Sequence, residues 1–410
     1  MIINGGRPIG NMKKSKEEIK LETEVMSSQW YNLRPVLGYG NIMRFFVLLG
    51  GREIGKSYSV ANFVTDQFVK KGIPFTWIRL TKLQADKLLR NNAEKLIDAD
   101  IRRKYGLDLR TRGNNVYAVR TRQKVRKDGT VINEVIDKKL FARVMDLSTF
   151  YSDKGAIFDK DFLQDLSNRY NVVIDEFERE TGEKNTFDIA YALVNQLENI
   201  LRSTKTRTKV FFLGNTLETA SDVLVLMGFI PEKFGTFALV KNKKKLVEYL
   251  TKLDKAKSDH EKLEIDKEYQ KYDFGKRCVI HYIQNPENYN ARRKHSIANV
   301  LMPNASTFSN KIDTDTTLIC KKKLERPSYV IKFTKNPKNW FTVWDGNIIT
   351  KWNGEKKTVT AMRPYLDEPF SADMQKNIIL LFDTRSFMFR NMITFKEFQN
   401  QLALLKPRNG

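Results

Sequence analysis

Gly50-Gly51-Arg52-Glu53-Ile54-Gly55-Lys56-Ser57 fills every fixed position of the phosphate-binding pattern G-x-x-x-x-G-K-[ST]. Ahead of it, residues 42–49 (Ile-Met-Arg-Phe-Phe-Val-Leu-Leu) form an apolar run of strand length. Behind it, Val60, Phe63, Val64 and Phe68 recur at helical spacing until Lys70, Lys71 and Gly72 end the helix and Pro74 bars its return. A strand, a glycine-rich loop and a helix N-terminus aim backbone N–H groups and the positive end of a helix dipole at a polyphosphate. In that setting Lys56 reaches the β and γ phosphates, and the Ser57 hydroxyl ligates Mg²⁺.

A second strand follows in residues 74–80 (Pro-Phe-Thr-Trp-Ile-Arg-Leu); strand, helix and strand make a βαβ unit and imply a parallel sheet. Residues 83–99 carry helix formers. Residues 114–144 alternate in short apolar runs around Lys127-Asp128-Gly129-Thr130, so a β-hairpin is expected there as an insertion. The hairpin cations Arg120, Arg122, Lys124, Arg126 and Lys127 fit a phosphate-backbone contact and a solvated face equally well. Trp30, Tyr31 and Pro35 precede the first core strand; packing on the core is the favoured role, with adenine stacking the second.

Val172-Val173-Ile174-Asp175-Glu176 is a buried strand ending in two carboxylates. Behind a complete phosphate loop, the first acid is expected to hold Mg²⁺ and the second to orient and deprotonate the attacking water. Placing the base directly after the metal-binding acid suits an ATP-hydrolysing motor better than a kinase or a switch GTPase. After a helix expected over residues 187–201, Lys209-Val210-Phe211-Phe212-Leu213 makes another core strand ending at Gly214-Asn215-Thr216. Asn215 is placed to sense the γ-phosphate or hold the water, or else to cap the following turn. Arg202 and Arg207 lie between that helix and that strand, placed either to reach a neighbouring subunit's nucleotide or simply as surface arginines. An arginine delivered in trans is worth roughly 10³ to 10⁵ in rate.

The chain has 410 residues, more than one ordinary core, and 72 Lys and Arg against 48 acids give a formal charge of +24. Such an excess calls for a polyanionic partner, nucleic acid first. No apolar run approaches the roughly 20 residues that a membrane span needs, and the N-terminus lacks an apolar signal core, so a soluble, cytosolic protein is expected. Cys278 and Cys320 show no C-x-x-C spacing, and His260, His281 and His295 form no metal-ligand cluster. Residues 246–272, opened by Lys243-Lys244-Lys245, read as a charged helical linker. Strands are expected at residues 329–333, 340–344 and 348–352, and helices at about 373–382 and 394–405, closing a C-terminal α+β domain.

Taken together, Gly50 to Tyr58 in the form Gly-x-x-x-Ile-Gly-Lys-Ser-Tyr, Val173 to Glu180 in the form Val-x-Asp-Glu-Phe-x-Arg-Glu, and Leu147-Ser148 with Asp153-Lys154 resemble the double-stranded DNA packaging ATPases of small tailed phages, the phi-twenty-nine type. The likeness is looser at Ile200-Leu201-Arg202 and Phe274-Gly275-Lys276-Arg277. It implies an α/β P-loop NTPase core of the ASCE type over residues 1–240 with a hairpin insertion near 115–145. It further implies a small helical linker over 241–297 and a ribonuclease H-like domain without nuclease activity over 298–410. By the same resemblance Gly50, Gly51, Arg52, Glu53, Ile54, Gly55, Lys56, Ser57 and Tyr58 hold ATP, Ser57 and Asp175 hold Mg²⁺, Glu176 and Asn215 serve hydrolysis, and Arg202 and Lys154 act in trans. The implied partners are double-stranded DNA, further copies of the chain in a pentameric ring, the portal of a procapsid in the host cytoplasm, and in some relatives a packaging RNA. Against this stand a terminase-like enzyme whose C-terminal domain cuts DNA and a nucleotide-gated scaffold that translocates nothing. A nuclease would need carboxylates converging on two metal ions. Asp345, Glu355, Asp367, Glu368, Asp373 and Asp383 show no such pairing on adjacent strands, and turn or cap roles explain each.

Overall fold

The structure, a computed structural model, describes residues 31–125, 131–152, 170–177, 193, 197, 208–215, 222–231, 233–284, 318–354, 360–362 and 372–405. The chain divides into two compact units, residues 1–217 with 233–312 and residues 218–232 with 313–410.

The first unit is built on a nine-stranded sheet. In chain order it runs β1 (Phe45–Gly50), α1 (Lys56–Lys71), β2 (Phe75–Arg79), α2 (Lys82–Ala93), α3 (Ala99–Tyr105), β3 (Asp108–Arg112), β4 (Asn115–Val125), β5 (Val131–Asp146), α4 (Leu147–Ser152), β6 (Asn171–Asp175), β7 (Lys209–Asn215), β8 (Gly235–Val240), α5 (Lys243–Lys255), α6 (Asp259–Tyr269) and β9 (Gly275–Tyr282). The spatial order is β3-β4-β5-β2-β6-β7-β1-β9-β8. The strands from β5 through β9 run parallel, while β3, β4 and β8 add antiparallel edges. Central strands of a parallel sheet are covered on both faces, which is why β1, β6 and β7 read as unbroken apolar runs rather than alternating ones. Phe46 stacks on Phe211 with ring centroids 4.9 Å apart, and Phe63 of α1 meets Phe211 edge-on, so α1 is fixed over the centre of the sheet.

Two expectations are corrected here. The separate linker over 241–297 does not hold for its described part. β9 lies beside β1, with Phe45 opposite Cys278 and Leu49 opposite Tyr282, and α5 and α6 are an excursion between neighbouring strands β8 and β9. The helical pair looked too polar to be buried because only a narrow stripe packs: Leu246 and Tyr269 are buried, and Tyr249 stacks on Phe274. The hairpin, too, is only partly an insertion. Its strands form as expected, but the second half of β5 is a core strand paired with β2, Ala142 opposite Phe75 and Asp146 opposite Arg79. The turn residues 126–130 lie outside the described residues.

The second unit holds a five-stranded sheet in the order β13-β10-β11-β12-β14. Its elements are β10 (Pro327–Lys332), β11 (Trp340–Trp344), β12 (Ile348–Lys351), β13 (Thr360–Met362), α7 (Ala372–Asp383), β14 (Met388–Phe389) and α8 (Met392–Leu405). Its core is aromatic: Phe398 of α8 contacts Phe333, Phe341, Phe387 and Phe389.

Candidate active site

Three parallel strand ends converge on one spot because β7 lies between β1 and β6 and pairs with both. Gly50 is opposite Asn215, and Asp175 is opposite Leu213. The glycines at the two ends of the loop, Gly50 and Gly55, cannot be exchanged for larger residues without strain. A Cβ on Gly50 would stand 2.7 Å from Ile54 Cδ1 and 3.0 Å from Ile283 Cβ, and Gly55 has φ +95°. Lys56, only 6% exposed, curls back so that Nζ donates to Gly50 O at 2.8 Å, Gly51 O at 2.7 Å and Asn215 Oδ1 at 3.4 Å. The ammonium is thereby held over the mouth of the loop.

Ser57 lies in the first turn of α1, and its Oγ donates to Asp175 Oδ1 at 3.2 Å. A hydroxyl and a carboxylate at a helix N-terminus form an all-oxygen set of the kind that hard Mg²⁺ takes, with phosphate oxygens to complete it. The pocket, with its loop carbonyls engaged by Lys56 and its N–H groups at a helix start, fits a nucleoside triphosphate. Glu176 follows Asp175 in a left-handed backbone conformation, φ +56°, while its N–H donates to Leu213 O at 2.8 Å. In this conformation the Glu176 side chain meets its neighbour on β2.

That neighbour is Arg79, which sequence reasoning overlooked. Its guanidinium bridges both acids, Nη1 to Asp175 Oδ2 at 2.7 Å and Nη2 to Glu176 Oε2 at 2.5 Å. The signal was present in the second strand of the βαβ unit, which ends in a cation at the edge where β6 ends in two anions. The other acid in that row, Asp146 of β5, is already engaged: it accepts from the backbone N–H and hydroxyl groups of Ser148 and Thr149 at the start of α4. Burial opposes its charge, but those bonds outweigh burial and hold its carboxyl below the usual range.

Behind the loop stands a second, uncharged brace. Tyr31 N–H donates to Ile54 O at 2.8 Å, Tyr31 O accepts from Ser59 Oγ, and the Tyr31 hydroxyl bonds His281 Nδ1 at 3.0 Å. Burial pushes the tyrosine hydroxyl up and the imidazole down to about 4, so His281 is neutral at physiological pH. Tyr31 therefore packs on the core, at 3% exposed, and its ring is not offered to a base. Ile283 N–H donates to Leu49 O at 2.7 Å, closing the backing. Tyr58 is 42% exposed and points outward from α1. Lys154 and Arg202 lie outside the described residues.

In the second unit, Asp345 sits at a turn with φ +50°, and its carboxylate accepts from the N–H groups of Arg326 at 2.9 Å and Glu325 at 3.3 Å. Glu355, Asp367 and Glu368 lie outside the described residues. Among the described residues, no group of three or more His, Cys, Asp or Glu is placed to hold a metal ion.

A family model described as Podovirus DNA encapsidation protein (Gp16) matches residues 25–319. The chain belongs to this family. Among the curated relatives that the chain matches are the DNA packaging proteins of Bacillus phage phi29 and Bacillus phage PZA, each 24% identical over 209 residues. Those alignments take in 50% of this chain and 52% of the relative, so the chain spans about half the length of the curated relatives it matches. The fold extends further. A chain of the bacteriophage Phi-29 viral genome packaging motor assembly superposes with a TM-score of 0.54 at 17% identity, covering 92% of this chain and 99% of that one. The Phi-28 gp11 DNA packaging motor gives a TM-score of 0.52 at 14% identity, covering 93% and 99%.

Proposed function

We propose that this encapsidation protein is an ATP hydrolase that couples hydrolysis to the movement of double-stranded DNA into a procapsid. The observation that carries the reading is the convergence of Lys56, Ser57, Asp175, Glu176 and Asn215 at the ends of β1, β6 and β7. Lys56 binds the β and γ phosphates when a nucleotide replaces its loop carbonyls as partner. Mg²⁺, held by Ser57 and by Asp175 directly or through water, supplies charge neutralisation on the phosphate oxygens. Glu176 takes the proton of the attacking water, which requires it to leave Arg79; Arg79 thus holds the base idle until substrate rearranges the site. Asn215, within reach of Lys56, is set to contact the γ-phosphate or the water.

Arg202 and Lys154 are proposed to complete the pocket from an adjacent subunit of a ring, pentameric by analogy, seated at the portal vertex in the host cytoplasm. The DNA contacts are to phosphates and independent of sequence. The nuclease reading is disfavoured because the Asp345 carboxylate is consumed by backbone N–H groups. The scaffold reading predicts ring assembly with negligible turnover.

The test is steady-state ATP hydrolysis at low salt with procapsids, with and without double-stranded DNA. Stimulation by DNA is expected, and its absence would sink the motor reading. For the trans residues, mixing Arg202→Ala with Lys56→Ala subunits should restore some interfaces; no recovery at any ratio would remove Arg202 from the site.

A further inference from the structure

The opposite edge of the same sheet carries a charge arrangement that the nucleotide site does not use. Phe45 of β1 is opposite Val210 of β7 and Cys278 of β9, so the residue before each lines up as Lys209, Arg44 and Arg277. Backbone bonds fix this row: Arg44 N–H donates to Arg277 O at 2.9 Å, and Val210 N–H donates to Arg44 O at 2.8 Å. Three cations therefore stand on adjacent strands, which are spaced by roughly 4.8 Å. Like charges directly across a strand pair are destabilising.

The row lacks the partners that would offset this. Lys209 Nζ donates to Gly40 O at 3.2 Å and lies 5.1 Å from the Phe46 ring centroid, and Arg277 Nε donates to Ile42 O at 2.8 Å. Among the described residues none of the three makes an ion pair, and Arg44 Nε and Arg277 Nη2 are buried without any hydrogen-bond partner. Arg44 and Arg277 also feel the Tyr249 hydroxyl, which gives its proton to Asp266 Oδ1 at 2.7 Å. Burial, then Arg277 and Lys71, pull the Lys209 ammonium down to about 8; burial, then Arg44, pull Arg277 to about 10. The Arg44 and Arg277 side chains are nevertheless only half-buried, so the guanidinium N–H groups that reach the surface are open to a ligand that accepts from them. A guanidinium fork matches phosphate oxygens.

We propose that Lys209, Arg44 and Arg277 form a phosphate-binding site that takes the backbone of a nucleic acid. Lys71 is exposed beside Lys209 and extends the row outward, which suits a polyanion longer than a single ion. The six residues of β1 separate this site from the phosphate loop by roughly 20 Å, so the two bind different molecules. The proposal deepens the functional reading above and rests on its polyanionic partner.

The experiment measures binding of a short DNA duplex to the full chain without nucleotide, over a salt series, for wild type, Lys209→Met, Arg44→Met and Lys209→Arg. Each methionine variant should lose roughly eight-fold in affinity at 0.1 M salt and about 0.9 in the log–log salt slope, as expected for one phosphate contact removed. Each should also melt at a higher temperature in the absence of DNA, because a like charge has been taken out of the row. Lys209→Arg should keep the wild-type slope. Unchanged affinity and slope in both methionine variants would overturn the site, as would loss of affinity in Lys209→Arg together with a lower melting temperature in every variant. An effect confined to binding of inorganic pyrophosphate would give the row to a free polyphosphate instead. Lost self-association with DNA affinity intact would give it to a carboxylate of a second copy; either result overturns the nucleic-acid assignment. A wild-type chain that binds no duplex at any salt would overturn the functional reading and this site with it.

Discussion

Each unit of the molecule ends a strand with an aspartate, and the two aspartates have opposite fates. Asp175 of β6 has its two oxygens divided between the Ser57 hydroxyl and the Arg79 guanidinium, with Glu176 held by the same arginine. Asp345, after β11, has both oxygens occupied by the backbone N–H groups of Glu325 and Arg326, just ahead of β10. Partners that can be exchanged for a ligand leave a carboxylate available for chemistry; partners fixed in the backbone make it a structural clip. A strand-end acid therefore says little until its neighbours are known.

Five substitutions probe that contrast. The largest effect is expected at Glu176: Glu176→Gln should lower turnover by at least about 10²-fold, the range removed with a general base, while sparing ATP binding measured by equilibrium titration. Lys56→Ala should lose both, and retained turnover in either variant would undo the site assignment. Next comes Arg79→Met, which leaves two neighbouring carboxylates without their shared cation. Removing one member of a buried pair costs about 3–5 kcal/mol, and the lower end applies because the Glu176 side chain is 38% exposed. Denaturant melts should show the loss, and millimolar Mg²⁺ should recover part of it by taking over the charge.

Asp345→Ala should be milder, about 1–3 kcal/mol for the backbone N–H groups left without their acceptor, with DNA of unchanged length on a gel in the presence of Mg²⁺ or Mn²⁺. Metal-dependent cleavage by the wild-type chain that disappears in this variant would erase the distinction between the two acids. Smallest at neutral pH is His281→Gln. His281 is held neutral with its pKa lowered from 6.5 to about 4, so the unfolded state binds the extra proton between those values. Wild-type stability should be full above pH 6.5 and fall as pH drops toward 4; the variant's melting temperature should vary less over that window.

How much of this was legible in the sequence follows from the range of each signal. The phosphate loop, its flanking strand and helix, the acid pair on β6 and the three strands of the second unit are local patterns, and each forms where the residues place it. Arg79 was missed because its role depends on β2 lying next to β6, a fact of strand order that no local spacing encodes. The charged stretch 246–272 concealed β9 for a similar reason: Cys278 and His281 interrupt an otherwise apolar run, and only pairing with β1 shows that the segment is core. The row of Lys209, Arg44 and Arg277 joins residues far apart in sequence whose alignment exists only in the sheet's register.

The position of β9 also bears on how the protein is made. β1 is near the start of the described chain, yet both of its strand neighbours come much later, and Ile283 supplies part of the wall behind Gly50 and Ile54. Contacts of such long sequence separation form slowly, and domains complete themselves only when their last element has left the ribosome. A nascent chain that stops short of residue 283 holds the whole phosphate-binding motif but not the neighbours that shape it. The complete pocket thus forms late in synthesis, with the finished sheet rather than with its first strand and helix.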